Sequence, residues 1–313
     1  MTKRSRQRGI ALVLVMWAAV LLAVVLSSFI LERRTETLVM RNSLSMARAE
    51  AIADAGVQRA VWEMYRTDNA QDAWKRDGTM QHWSFDGVPV DVEIRDESAK
   101  IDINTASDAL LRGMFQSIGM SDDETAHIVD AILDWRDADS FKRPNGAEEP
   151  EYRAAGLPYK PANAPFQAIE ELQLVLGMRP DIYRRIAPMI TVFSRQPGVN
   201  PGLASRDVLL SIPGTTGDMV DQYIALRDAA LAQGQPAPVF PQASMYSSGY
   251  TMVATVRSQA RLEDGTVFAR EAVALLRPTA KSVVTFVAWR ESTAAPPEPQ
   301  QSIAGSAQPA PRS

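Results

Sequence analysis

The sequence predicts an α+β protein in which a long N-terminal helix packs on an antiparallel sheet and a helical domain is inserted in that sheet. Three observations predict it. An uncharged run over residues 10–31 continues, without a proline, into an amphipathic helical pattern that reaches residue 66. Two-residue alternation appears near residue 90 and then only after residue 249. Between those stretches the apolar residues recur at helical spacing, so the sheet is interrupted by helices.

The first nine residues carry Lys3, Arg4, Arg6 and Arg8 and no acid. A basic flank of this kind holds its end of a membrane helix in the cytoplasm, so the chain beyond Leu31 is expected to be exported. As a helix the run from Ile10 to Leu31 is about 33 Å long, enough for a hydrocarbon core of about 30 Å. A cleaved secretory signal has a shorter apolar region closed by a small-residue site, and no such site follows here. A single-pass anchor is the expectation.

Beyond the anchor, Leu38, Ser45, Ala49, Ile52, Ala53, Gly56, Val57, Ala60 and Met64 form one stripe. Its small residues allow close approach of the protein's own sheet, of neighbouring helices, or of both. Asp54, Gln58 and Glu63 fall on the other side. Residues 83–96 then read as one half-buried strand, with Val88, Val90, Val92 and Ile94 alternating. Helical pattern runs from about Asn104 to Pro188, and the proline-rich stretch 235–241 is the expected exit from the insert. Three strands follow: around Tyr250 to Val256, Val267 to Leu276, and about Ser282 to Arg290. Asp264-Gly265 between the first two is a hairpin signal. The final stretch is Pro, Ala, Gln and Ser, too polar to order itself. The expected division is a leader 1–9, a helix 10–66 with a transmembrane half 10–31, a sheet domain 67–97 and 242–291, an inserted helical domain 98–241, and a tail 292–313.

The chain has 313 residues, of which 46% are hydrophobic and 22% charged, as in globular proteins. Without the leader's four basic residues its net charge passes from −4 to −8, which disfavours phosphate backbones as partners. Cysteine is absent, so disulfides and thiol chemistry are excluded. His82 and His127 are the only histidines, and neither a nucleophile elbow nor a zinc-protease motif occurs. An enzyme is not expected.

The insert repeats one plan in residues 111–132, 172–190 and 209–226: helix, glycine-containing turn, helix. This is similar to the helix-hairpin-helix of DNA-binding proteins, whose turn amides and nearby bases hold phosphate. Here Asp122, Asp123 and Glu124 follow the first turn, and Asp218 and Asp221 the third. Only the second has bases nearby, so the fold is retained and nucleic acid is not an expected partner.

The densest acidic stretch holds Asp130, Asp134 and Asp137 at helical spacing, followed by Asp139, Glu148, Glu149 and Asn163. Stacked like charges repel unless a cation lies among them. Hard oxygen donors without His or Cys suit calcium. A solvated acidic turn, partly neutralised by Arg136, Lys142 and Arg143, is an equal alternative at this point.

Together these segments resemble general secretion pathway protein K, the large minor pseudopilin of type II secretion systems. The resemblance rests on Arg8-Gly9-Ile10 before the apolar helix, residues 83–92, residues 100–106, the segment Leu133 to Asp139, Gly146-Ala147-Glu148, and residues 159–163. It implies a pilin fold with an inserted helical (SAM-like, helix-hairpin-helix-like) domain. It also implies cleavage after Gly9 by prepilin peptidase, methylation of the mature protein, and an inner-membrane anchor with the bulk of the chain in the periplasm. Calcium in the insert is implied as well, with Asp134, Asp137, Asp139 and Glu148 as leading ligands and Glu149 and Asn163 as further ones. The partners implied are minor pseudopilins I, J and H. The function implied is initiating and capping the pseudopilus. A minor pilin of a type IV pilus and a membrane-anchored DNA-binding protein are the alternatives. Counting Ile10 as the first mature residue, the fifth is Leu14. Ordinary pilins are similar to one another in having Glu there, facing a neighbour's terminal amine. A subunit with no neighbour beyond it would bury that carboxylate unpaired, at high cost. Leu14 therefore suits a tip position.

Overall fold

The computed structural model describes residues 8–66, 73–241, 249–277 and 282–293, without the side chains of 8–11 and 28–35. Helix α1 spans Arg8–Tyr65, about 87 Å at 1.5 Å per residue. Only its upper part meets the sheet, through Ala49, Ile52, Ala53, Val57, Ala60, Val61 and Met64, all buried. Leu38, placed by periodicity on the same stripe, is exposed, so the stripe outruns the sheet it covers. Lower down, the large apolar side chains from Leu12 to Leu26 are each more than half exposed. Among the described residues no helix is long and apolar enough to cross a membrane. The span expected over 10–31 runs past the described side chains, 12–27, at both ends. The cleavage site at Gly9 and Ile10 lies where side chains are not described, and most of the leader and the tail lie outside the described residues.

Five antiparallel strands form the sheet in the order β1 (Asp77–Phe85), β2 (Val88–Asp96), β5 (Val253–Arg261), β6 (Val267–Leu275) and β7 (Thr285–Ser292). The sequence reading expected one strand over 83–96, and the structure has two. Asp86 and Gly87 both take positive φ, 51° and 75°, and fold the segment back on itself. That is the backbone of a type I′ hairpin turn, which an Asp-Gly pair supplies. Trp83 thus pairs with Val90 across the turn instead of preceding it along one strand.

On the face covered by α1 lie Val88, Val90, Val92, Ile94, Ala254, Val256, Ala260, Ala272 and Ala274. The alanines and Gly56 bring helix and sheet close: a Cβ on Gly56 would stand 2.1 Å from Ser258 Oγ. Charge adds to this packing. Arg270, on the covered face, donates to Asp54 at 2.6 Å and to Glu50 at 2.5 Å. Glu63, expected on the open side of the helix, is instead buried and neutralised by Arg59 and Arg66 at 2.5 and 3.0 Å.

Strand β2 pairs directly with β5, Val90 with Ala260 through Asp96 with Ala254. Everything between them leaves the sheet at one point. It forms α2 (Asp108–Ser117), α3 (Asp122–Arg136), α4 (Glu149–Ala154), α5 (Pro180–Ile186), α6 (Arg206–Leu210) and α7 (Gly217–Ala232) around a second core. Ser107 and Ser121 cap α2 and α3, the latter in a capping box with Glu124. The first and third helical pairs of the sequence appear as α2–α3 and α6–α7. In the second, residues Ile169–Leu174 form 3-10 helix before α5, so one α-helix of the expected pair is missing.

Where the chain enters and leaves the insert, three buried carboxylates tie distant segments together. Asp96 accepts from Thr251 N at 3.1 Å and Thr251 Oγ1 at 2.9 Å. Glu97 accepts from Thr255 Oγ1 at 2.6 Å, from Lys100 Nζ at 3.0 Å and from Thr191 Oγ1. Asp102 accepts from Arg195 N at 2.7 Å, beside the short parallel pair of β3 (Ile101–Asp102) and β4 (Ile190–Thr191). Hydrogen bonds to buried carboxylates are strong, and here they fix the insert's root, although Asp96 Oδ2 itself has no hydrogen-bond partner and lies 3.9 Å from Arg76 Nη1.

Candidate functional site

Helix α3 ends at Arg136, and the chain turns back beside it as a loop running to α4. Asp134 on the last turn is fully buried and accepts from the amide of Arg143 at 3.2 and 3.3 Å. The loop approaches so closely at Gly146 that a Cβ there would stand 2.0 Å from Asp134 Oδ2. Asp137 is the C-cap of α3, with ψ at 164°, so it departs from the helical face on which spacing stacks it with Asp130 and Asp134. Asp130 is closed by other partners, Arg112 at 2.9 Å and the amide and side chain of Asn145 at 3.1 Å.

Three oxygens around this turn are buried without any hydrogen-bond partner: Asp137 Oδ1, Glu148 Oε1 and Asn163 Oδ1. Asn163 sits at a φ of 47° and donates through Nδ2 to the Asp139 carbonyl at 2.6 Å, leaving its carbonyl oxygen unpaired. Asp139 accepts from the amide of Phe141 at 2.8 Å, which shapes the loop. Glu149 is not with them. It pairs with Arg153 and, at 3.7 Å, with Lys160. Of the bases expected to neutralise the stretch, Arg136 donates to the carbonyls of Ile103 and Ala106, and Lys142 pairs with Glu151.

Burial raises Asp134, with repulsion from Asp137 adding to it. Burial likewise raises Asp137, reinforced by Asp139, and raises Glu148, reinforced by Asp134, Asp137 and Asp139. Among the described residues no group of three or more His, Cys, Asp or Glu side chains is arranged to hold a metal ion. The donor set nevertheless fits a hard cation in kind: two carboxylate oxygens and one amide oxygen, all orphaned, with no nitrogen or sulfur among them. Orphaned buried acceptors are costly unless a partner satisfies them.

A pH prediction follows from these directions. Raised folded values mean that folding favours the protonated carboxyls. Their contribution is full below the ordinary carboxylate range and is lost as pH rises through the raised values. Groups held low, such as Glu151 and Asp221, lose their contribution only below that range. Acidifying the metal-free chain from neutrality toward the carboxylate range is therefore expected to raise its melting temperature. Any stabilisation by calcium shrinks over the same window, because protons compete for its ligands. Thermal melts across pH, with and without calcium, check both.

The fold and site define a class: a long helix on an antiparallel sheet, interrupted by a helical unit with an oxygen-rich turn. Residues 92–195 match the family described as Type II secretion system (T2SS), protein K. The Type II secretion system protein K of Pectobacterium carotovorum is 29% identical over 210 residues, covering 60% of this chain and 63% of that protein. The chain thus spans just under two thirds of that relative. The Pseudomonas aeruginosa protein of the same description is 25% identical over 244 residues, 70% of this chain and 73% of its own. In fold, the chain is similar to a structure described as the GspK-GspI-GspJ complex of enterotoxigenic Escherichia coli, with a TM-score of 0.57 and 14% identity. That likeness covers 84% of this chain and all of the other. Over residues 92–195 the chain thus matches the type II secretion system protein K family, and over a longer stretch it is similar to proteins of that description.

The junction carboxylates Asp96, Glu97 and Asp102 were not singled out by sequence reasoning. Each lies in a stretch of mixed polarity, and the partners of Asp96 and Glu97 include residues 94 to 158 positions away.

Proposed function

We propose that this chain is a non-enzymatic minor pseudopilin at the tip of the type II secretion pseudopilus, where it initiates and caps assembly for protein export. The carrying observation is the union of an α1 whose lower half is apolar and exposed with an insert that leaves the sheet between neighbouring strands. Exposed apolar side chains from Leu12 to Leu26 need lipid or partner helices to cover them. In this reading they take lipid before assembly and the helices of minor pseudopilins I and J, with H below, afterwards. The structural relative's own description as a complex with I and J supports those partners. Leu14 spares a tip subunit a carboxylate with nothing to pair with. The insert adds bulk that would hinder a further subunit. The helix-hairpin-helix alternative loses support because α3 opens with Asp122, Asp123 and Glu124, and α7 carries Asp218 and Asp221.

Within the insert the reading places calcium at the turn after α3, held by oxygens of Asp137, Glu148 and Asn163, with Asp134 and Asp139 beside them. Bound there, the ion would satisfy the orphaned oxygens and lock α3, the loop and the start of α4 together. Glu149 is left out, since it is engaged with Arg153 and Lys160.

Co-expression with prepilin peptidase, followed by mass measurement of the intact chain, tests the pseudopilin reading. The expected product begins at Ile10. A chain that keeps Met1 to Gly9 contradicts it.

A further inference from the structure

The geometry points to Arg143 as an intramolecular stand-in for the metal: its guanidinium holds the acidic turn together in the calcium-free chain and must leave for calcium to bind. The inference rests on the calcium reading above and adds a competitor to it. Arg143 Nε stands 3.5 Å from Asp134 Oδ1, and its Nη2 stands 3.5 Å from Asp137 Oδ2. It therefore bridges the carboxylate at the end of α3 and the one just beyond it. The neighbouring bases are committed elsewhere: Arg136 to two carbonyls, Lys142 to Glu151, Arg112 to Asp108 and Asp130.

One guanidinium does this work incompletely. It carries a single charge and donates in one plane, and Asp137 Oδ1, Glu148 Oε1 and Asn163 Oδ1 remain without partners around it. A divalent ion carries twice the charge and accepts six to eight oxygens in flexible geometry. The two cations cannot share the turn, because like charges at such range repel strongly away from bulk water. Exchange is easy to make. The side chain of Arg143 is 43% exposed, so it can swing into solvent. Its backbone amide stays bonded to Asp134, so the loop need not unravel. The arginine thus keeps the turn shaped for metal before metal arrives, and lowers affinity in proportion.

Calorimetric titration of calcium chloride into the metal-free, detergent-solubilised full chain tests this. Arg143→Gln is expected to bind calcium about ten-fold more tightly than the parent, as removal of a competing charge predicts, and to melt lower without metal. Arg143→Lys, which keeps the charge, is expected to stay near the parent in affinity. Equal or weaker calcium binding by Arg143→Gln overturns the inference while leaving the calcium reading intact. Absence of binding by the parent itself removes the calcium reading, and the inference with it. A second measurement needs no variant. The Arg143 side-chain Nε–H resonance of the parent is expected to shift and exchange faster with water on saturation with calcium. A resonance that calcium leaves unmoved overturns the displacement.

Discussion

Chelation of calcium is expected to lower the melting temperature of the full chain by about 10 °C. A ligand present at about a thousand times its Kd stabilises by roughly 4 kcal/mol, and each kcal/mol moves the midpoint of a domain of this size by about 2–4 °C. Asp137 Oδ1, Glu148 Oε1 and Asn163 Oδ1 are buried and unpartnered at the turn where α3 ends. The effect is expected to vanish in a doubly substituted chain, Asp137→Asn with Glu148→Gln, which removes both carboxylate charges and keeps side-chain size. Scanning fluorimetry with calcium and with chelator reads the difference. Coincident curves for the parent chain would contradict the metal assignment.

The second large effect is expected at Gly113, on the face of α2 that meets the end of α6. A Cβ at this position would stand 2.0 Å from the backbone oxygen of Ser211 and 3.0 Å from its carbonyl carbon. Backbone cannot step aside as a side chain can, and the flanking Leu209 and Ile212 are buried in the same core. Gly113→Ala is expected to cost about 3 kcal/mol, in the range of overpacked cores. Gly119→Ala is the comparison. Gly119 has open space around it and a φ of 86°, so its substitution is expected to cost only about 1 kcal/mol, through backbone strain. Denaturant unfolding of both variants gives the ranking, and a cost at Gly113 no larger than at Gly119 would show that the helices can separate freely.

Local rules carried much of this fold in readable form. The uninterrupted helical pattern to residue 66 became α1, and the Asp264-Gly265 signal became the turn between β5 and β6. Its twin at Asp86-Gly87 was absorbed into a single expected strand, because Trp83 to Phe85 and Val88 to Ile94 read as one β-prone run. Only the pairing of Trp83 with Val90 separates them. The acidic turn was legible as composition and spacing, but the allocation of roles within it was not. Helix α3 stops one residue before Asp137, which frees that side chain from the stack. Glu148 and Glu149 are neighbours with opposite fates, since the first caps α4 and is buried while the second is exposed and ion-paired. Adjacent glutamates cannot be told apart by type. The junction carboxylates were illegible for a different reason: most of their partners are hydroxyls and amides brought near only when sheet and insert fold together.

The central claim, that this chain seats on the minor pseudopilins at a filament tip, is tested most directly by assembly. The full chain is co-expressed with the minor pseudopilins I and J of the same organism, and the solubilised material is weighed by native mass spectrometry. A stable complex holding one copy of each chain, weakened when charge is placed on the apolar lower half of α1, is the predicted result. The chain running alone, with I and J pairing without it, would contradict the account.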